Sequence, residues 1–114
     1  MYWIPMLVTA DMAFRAVADP TRRQILDVLA RGECAVGDLV KPLGISQPAV
    51  SQQLKLLKEL GLVRQRRDGR RVLCSLVADP LREIDRWLTH YREFWTEKFN
   101  ALEQLLDELP DDAP

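Results

Sequence analysis

Apolar residues recur at helical spacing in several stretches of this chain and alternate with polar ones in a single stretch. The pattern predicts a first helix over roughly Asp11–Ala18, ending before Asp19-Pro20, because a proline biases the residue ahead of it away from the α region. A second helix is expected over roughly Pro20–Ala30. Asp19 is its N-cap, Pro20 its first helical residue, and Ile25, Leu26 and Leu29 its buried stripe. Arg31-Gly32-Glu33 breaks the chain before a third helix over roughly Ala35–Leu43. Val50, Leu54 and Leu57 then recur at i, i+4, i+7 and mark the core face of a fourth helix over roughly Gln47–Leu60. Beyond Gly61, Val72, Cys74 and Leu76 alternate with Arg71, Leu73 and Ser75, as in a strand with one face buried. Asp79-Pro80 opens a long last helix to about Leu109. Its apolar stripe runs from Trp87 and Leu88 through Tyr91, Phe94, Trp95, Phe99 and Leu102 to Leu105, Leu106 and Leu109. Only the first helix remains to cover so long a stripe within one subunit. An exposed aromatic surface of that size marks an interface, so a seam with a second copy is expected, the alternative being core packing within one subunit.

The fourth helix has an apolar back and an uncharged, hydrogen-bonding front. Gly44 suits a tight turn with positive φ, Ser46 is a good N-cap, and Pro48 stands where a missing N–H costs nothing. Gln47, Ser51 and Lys55 share the face opposite the core stripe. Glutamine and serine both donate to and accept from base edges, and lysine suits phosphate. A turn followed by such a helix is how a helix-turn-helix presents its second helix to a DNA major groove. Gln47, Ser51 and Gln52 are the expected base readers, with Ala49 able to meet a thymine methyl. Ser46 and Gln53 are expected to bind phosphate or to support the helix.

Two β-prone runs flank Asp68-Gly69, a strong hairpin signal, and Arg64, Arg66, Arg67, Arg70 and Arg71 crowd them. A charge run is often only a solvated face. Attached to a helix-turn-helix, it looks like the wing of a winged helix. Lys41, Lys55, Lys58, Arg66, Arg67, Arg70 and Arg71 then reach phosphates or the minor groove. The fold class is therefore mainly α with a small β-hairpin. Residues 11–109 form one winged helix-turn-helix domain that includes a dimerisation helix over about 80–109. Residues 1–10 are an N-terminal extension and 110–114 a disordered tail.

Taken alone, the formal net charge of −1 argues against a nucleic-acid partner, but its distribution reverses that reading. Residues 41–71 carry three Lys and five Arg against only Glu59 and Asp68, a net +6, whereas residues 72–114 carry a net −6. Basic charge thus gathers on the helix-turn-helix and wing, and acidic charge on the last helix and tail. The chain has one histidine, no nucleophile beside a base and no glycine-rich phosphate loop, so an enzyme is not expected. The apolar start, Met1 to Val8, lacks a basic flank and is interrupted by Pro5, so neither an export signal nor a membrane span is expected. Cys34 and Cys74 are too few for a disulfide scaffold and are expected to be reduced in the cytoplasm. They fall on different elements, and nothing in the sequence brings them together.

Phe14 to Leu26, Gly44 to Leu57, Glu59-Leu60-Gly61-Leu62-Val63 and Arg67-Asp68-Gly69-Arg70, in that order and spacing, resemble the ArsR/SmtB family of bacterial winged-helix transcriptional regulators. The resemblance spans about residues 11–109. It implies a homodimer built from the first and last helices that binds double-stranded DNA at an imperfect inverted repeat, in most members as a repressor released by an effector.

Departures from the family pattern carry information too. Many relatives have Cys-x-Cys on the third helix, where Gly32-Glu33-Cys34-Ala35-Val36-Gly37-Asp38-Leu39 offers one thiol, and soft metals want several. A second family site uses Asp, His and Glu on the last helix. Asp85, His90 and Glu93 are weak candidates here, but the usual pair of histidines is incomplete, so no metal and no cofactor are expected. Gln53 stands where many relatives have His, and Cys74 where many have Tyr. The leading expectation is a sequence-specific DNA-binding repressor, with an unknown small molecule as a possible effector. The alternatives are a winged-helix module that docks an acidic protein, and a metal-responsive sensor using the incomplete His/carboxylate set.

Overall fold

The computed structural model of the protein describes residues 11–110; the N-terminal extension and residues 111–114 lie outside them. Residues 11–17 are helical (α1), followed by α2 (Pro20–Leu29), β1 (Cys34–Ala35), a 3₁₀ turn (Val36–Leu39), α3 (Val40–Leu43) and α4 (Gln47–Glu59). A hairpin of β2 (Val63–Asp68) and β3 (Arg71–Leu76) leads to α5 (Leu81–Asp107). The chain divides into two compact units, one ending at Ile84 and the other beginning at Asp85.

In the first unit the local signals do what their chemistry predicts. The Asp19 carboxylate accepts from the Arg22 N–H at 3.1 Å and caps α2, with Pro20 in its first turn. Ser46 Oγ accepts from the Ala49 N–H at 3.2 Å and caps α4. Gly44 takes φ +66° at the end of α3 and so lets the chain turn into α4. Gly61, at φ +84°, closes α4. Its N–H reaches Lys58 O while the Leu62 N–H reaches Leu57 O, the paired bonds of a Schellman end.

The core is the apolar stripe of each helix turned inward. Ile25, Leu26 and Leu29 of α2 meet Val50, Leu54 and Leu57 of α4, with Leu39, Leu60, Leu62, Val63 and Cys74 closing the cluster. Val50, Leu54 and Leu57 have no exposed surface, so the i, i+4, i+7 spacing identified the face of α4 correctly.

The stretch before α4 departs from expectation. In place of a continuous third helix over Ala35–Leu43, Cys34 and Ala35 extend as a strand, a 3₁₀ turn follows, and only Val40–Leu43 is α-helical. The extended pair is held by β3, which makes the sheet three-stranded with order β1-β3-β2. A two-residue strand has no periodicity to read; its backbone N–H and C=O groups are satisfied by a partner about forty positions away.

β3 is thus a central strand. Cys74 faces the core and is fully buried, but Leu73 on the other face is also 92 % buried, lying between Ala35 and Arg66 in the register. Of the inward set expected on this strand only Cys74 is fully buried, Val72 and Leu76 being half-buried, and with Leu73 covered as well the burial does not follow a simple alternation. The hairpin loop is Gly69-Arg70, closed by the Asp68–Arg71 pair. Gly69, at φ +64°, supplies the left-handed first position of a two-residue turn.

The second unit is the greater part of α5. Trp87 and Tyr91 meet edge to face at 5.2 Å between ring centroids, Phe94 and Trp95 at 5.6 Å, and Lys98 Nζ lies 5.0 Å over the Phe94 ring. None of the described residues of this unit is buried. No helix among the described residues is long and apolar enough to cross a membrane.

Candidate nucleic-acid interface

Burying Val50, Leu54 and Leu57 obliges the opposite face of α4 to point outward. Gln47, Ser51, Lys55 and Lys58 are all exposed on that side. Together with Ala35–Asp38 and with Gln65, Arg70, Arg71 and Val72 of the hairpin, they line an open groove of about 630 Å3. One wall is a hydrogen-bonding helix front, and the other a strand pair ending in arginines. Asp38 is the one acidic side chain in the lining.

The four expected base readers do not share one surface. Gln47 and Ser51 face the groove, whereas Gln52 lies with Gln53, Lys55, Leu56 and Glu59 on the other flank of α4. At about 100° per residue, adjacent positions on a helix diverge, so Ser51 and Gln52 meet different surroundings. Ala49 is half-buried, and Ser46 is committed through its oxygen to the helix cap. Of the two offices expected for Ser46 and Gln53, the contacts favour support. Gln53 Oε1 accepts from Arg22 Nη1 at 3.5 Å.

Arg22 was not singled out from the sequence, yet it organises this end of the unit. Its Nε donates to Ala16 O at 3.1 Å and its Nη2 to Arg15 O at 2.6 Å, which satisfies carbonyls at the end of α1 while the third nitrogen reaches α4. A planar fork with several fixed donors does this; a lysine would not. The only signal in the sequence was an arginine three residues after a helix cap, which is too common to interpret.

The basic residues fall into two groups. Arg66 grips Glu33 with two hydrogen bonds, Nε to Oε2 at 2.9 Å and Nη2 to Oε1 at 2.7 Å. That contact holds the Glu33 carboxyl below the usual carboxylate range and pushes the Arg66 guanidinium further up. Arg71 Nη2 donates to Asp38 Oδ2 at 3.2 Å. Lys41, Lys55, Lys58, Arg64, Arg67 and Arg70 are exposed and have no acidic partner among the described residues. Both ion pairs are solvent-exposed, so they are weak and exchangeable.

The weak metal candidates do not assemble within one chain. Asp85 is bound by Arg92, its carbonyl accepts from Thr89 Oγ1 at 3.0 Å, and His90 and Glu93 are exposed on the same helix. No group of three potential ligands is found among the described residues. The two cysteines require a correction. Although Cys34 and Cys74 are distant in sequence, the β1–β3 register sets them directly opposite each other.

Residues 19–65, from the cap of α2 to the start of β2, match the family described as bacterial regulatory protein, arsR family. The chain is 42 % identical over 103 residues to the HTH-type transcriptional regulator Rv2034 of Mycobacterium tuberculosis, covering 90 % of this chain and 94 % of that one. It is 35 % identical over 78 residues to the transcriptional repressor SdpR of Bacillus subtilis, covering 68 % and 87 % of the two chains. Among solved structures, it resembles the homodimeric winged helix-turn-helix DNA-binding domain of Mb0332 from Mycobacterium bovis. The TM-score is 0.65 at 31 % identity, covering 82 % of this chain and 87 % of that one.

Proposed function

The chain belongs to the arsR family of bacterial regulatory proteins and is a DNA-binding transcriptional regulator, and from that premise we propose that it acts as a homodimeric repressor reading an inverted repeat through α4. The observation that carries this reading is the groove. Gln47 and Ser51 line it together with Lys58 and Arg70, which have no acidic partner among the described residues, so candidate base readers and phosphate binders share one exposed surface.

In this reading the first turns of α4 enter the major groove, where Gln47 and Ser51 meet base edges. Gln52 and Lys55 face the adjoining backbone. Lys58, Arg67 and Arg70 neutralise phosphates, while Arg66 and Arg71 exchange Glu33 and Asp38 for phosphate oxygens. Lys41 lies at the approach to α4 and adds to the local field. The apolar stripe of α5, from Trp87 and Leu88 through Tyr91, Phe94, Trp95 and Phe99 to Leu102, is between 40 % and 64 % exposed in one chain, and a second copy covers it. Two copies related by a two-fold axis present two α4 helices, which explains an inverted-repeat operator with half-sites spaced by about one helical turn.

The test is selection of bound fragments from the source genome, followed by titration of the selected duplex over a range of salt. Affinity is expected to fall with a log–log slope of about −0.9 per neutralised phosphate. Replacing Arg70 and Arg71 together with alanine should flatten that slope by roughly 2 and weaken all sequences alike. An unchanged slope would remove the wing from the interface. Failure to enrich any sequence would overturn the reading of a specific regulator.

A further inference from the structure

We propose that Cys34 and Cys74 form a paired-thiol modification site that a peroxide closes to an intramolecular disulfide at the root of the wing. The inference goes beyond DNA binding and does not depend on it.

The register carries the argument. Cys34 on β1 and Cys74 on β3 are direct antiparallel partners, so their side chains leave the sheet on the same face. Such partners lie about 4.5–5.5 Å apart at Cα, inside the roughly 4.4–6.8 Å that a disulfide spans. Their Cβ atoms, at about 4.5–5.5 Å, must close to roughly 3.8 Å. The strand that has to move is short and sits at the sheet edge. β1 is two residues long and follows Gly32, whose φ of +150° is open to glycine and strained for other residues.

The surroundings divide the two thiols by role. Cys34 is half-buried and so open to a small oxidant, whereas Cys74 has no exposed surface. Gln65 Nε2 donates to Cys74 Sγ at 3.5 Å and holds the buried sulfur in place. The reaction then balances in two steps. The Cys34 thiolate attacks one peroxide oxygen and the O–O bond breaks. The departing oxygen takes a proton to leave as water or an alcohol, and Cys34 becomes a sulfenic acid. The Cys74 sulfur attacks the Cys34 sulfur, the S–S bond forms and the S–O bond breaks, and hydroxide leaves with the Cys74 proton as water. The two thiols are oxidised by two electrons and the peroxide is reduced by two.

Burial, Asp38 and the neighbouring Cys74 push the Cys34 thiol up, with Arg71 opposing. Burial and Glu33 push Cys74 up, with Gln65 and Lys58 opposing. Both groups are therefore thiols at neutral pH, and closure quickens as pH rises through the thiol range. The ring so formed encloses the 3₁₀ turn, α3, α4 and β2, so closure staples the whole helix-turn-helix to the wing.

The experiment uses the full chain, reduced, freed of reductant and treated with hydrogen peroxide. Expected are loss of both free thiols, a monomer band on a denaturing gel without reductant, and a peptide linking Cys34 to Cys74 by mass spectrometry. Dithiothreitol should reverse all three. A long enclosed loop should also raise the melting temperature by about 10 °C. Cys34→Ser should leave Cys74 unreacted and remove that rise, and because Cys34 is half-buried this variant should fold. Chains linked to one another through Cys34, or a Cys34 sulfinic acid beside a free Cys74 thiol, would overturn the proposal.

Discussion

Helices α4 and α5 each carry an apolar stripe, but Val50, Leu54 and Leu57 of α4 are wholly buried, whereas Trp87, Tyr91, Trp95 and Phe99 of α5 are between 46 % and 64 % exposed. The polar faces differ as well. That of α4 is uncharged at Gln47 and Ser51 and turns basic at Lys55 and Lys58, while α5 mixes acids and bases up to Lys98 and carries only acids beyond it. An apolar stripe says which face of a helix seeks cover, and nothing about which chain supplies it. In α4 the cover comes from α2 and the sheet of the same chain. In α5 the stripe is exposed, and the second copy proposed above would supply the cover.

The sharpest way to break this comparison is to truncate one stripe at a time. Leu54→Ala should lower unfolding free energy by about 2–5 kcal/mol, because it opens a cavity in a closed core, as read from urea denaturation. A loss below ~1 kcal/mol would mean that α4 is not anchored as described. Trp95→Ala should instead loosen self-association by about 2 kcal/mol, roughly 30-fold, while the first unit keeps its fold. Sedimentation of the parent chain as a monomer at tens of micromolar, on the scale of weak interfaces, would remove the proposed seam altogether.

On the polar faces the effects are smaller. Gln47→Ala should cost about 1–3 kcal/mol of discrimination between operator and random duplex, leaving random-sequence affinity nearly unchanged. Equal losses on both duplexes would show that Gln47 does not read bases. The same substitution at Gln52, which lies on the other flank, should cost discrimination less.

The smallest expected effect concerns the Glu33–Arg66 pair. Glu33 titrates lower in the folded chain than in the unfolded one, so the pair supports the fold above the usual carboxylate range and that support is lost as pH falls through it. Glu33→Gln should therefore lower stability slightly at neutral and basic pH, leave it unchanged well below the carboxylate range, and so flatten the acid limb of a stability-versus-pH curve. A change confined to acid pH would refute the assignment. The variant should also free Arg66 and modestly tighten DNA binding at low salt.

Much of this molecule is written locally. Asp19 and Ser46 as caps, Gly44 and Gly61 at positive φ, and the stripes of α2 and α4 all follow from interactions within a few residues, and a periodic pattern reports them directly. The concentration of positive charge between Lys41 and Arg71 is likewise a property of the string. That Gln47 and Ser51 are exposed could be expected because a helix with one buried face has only one other face to offer.

What the string did not contain was pairing at a distance. The expected third helix yielded to a strand at Cys34–Ala35 because β3 satisfies that backbone from across the fold, and local propensity cannot weigh a partner not yet in place. The same pairing buries Leu73 and sets Cys34 against Cys74. Packing of α2 beside α1 and α4 likewise turns Arg22 into a clamp, and proximity across the sheet edge ties Arg66 to Glu33. Which residues seek burial, where most helices start and stop, and where charge collects could be read along the chain, since each depends on near neighbours. Which strands pair, which arginines are already engaged and which thiols meet emerged only on folding, since those depend on chain closure over tens of residues.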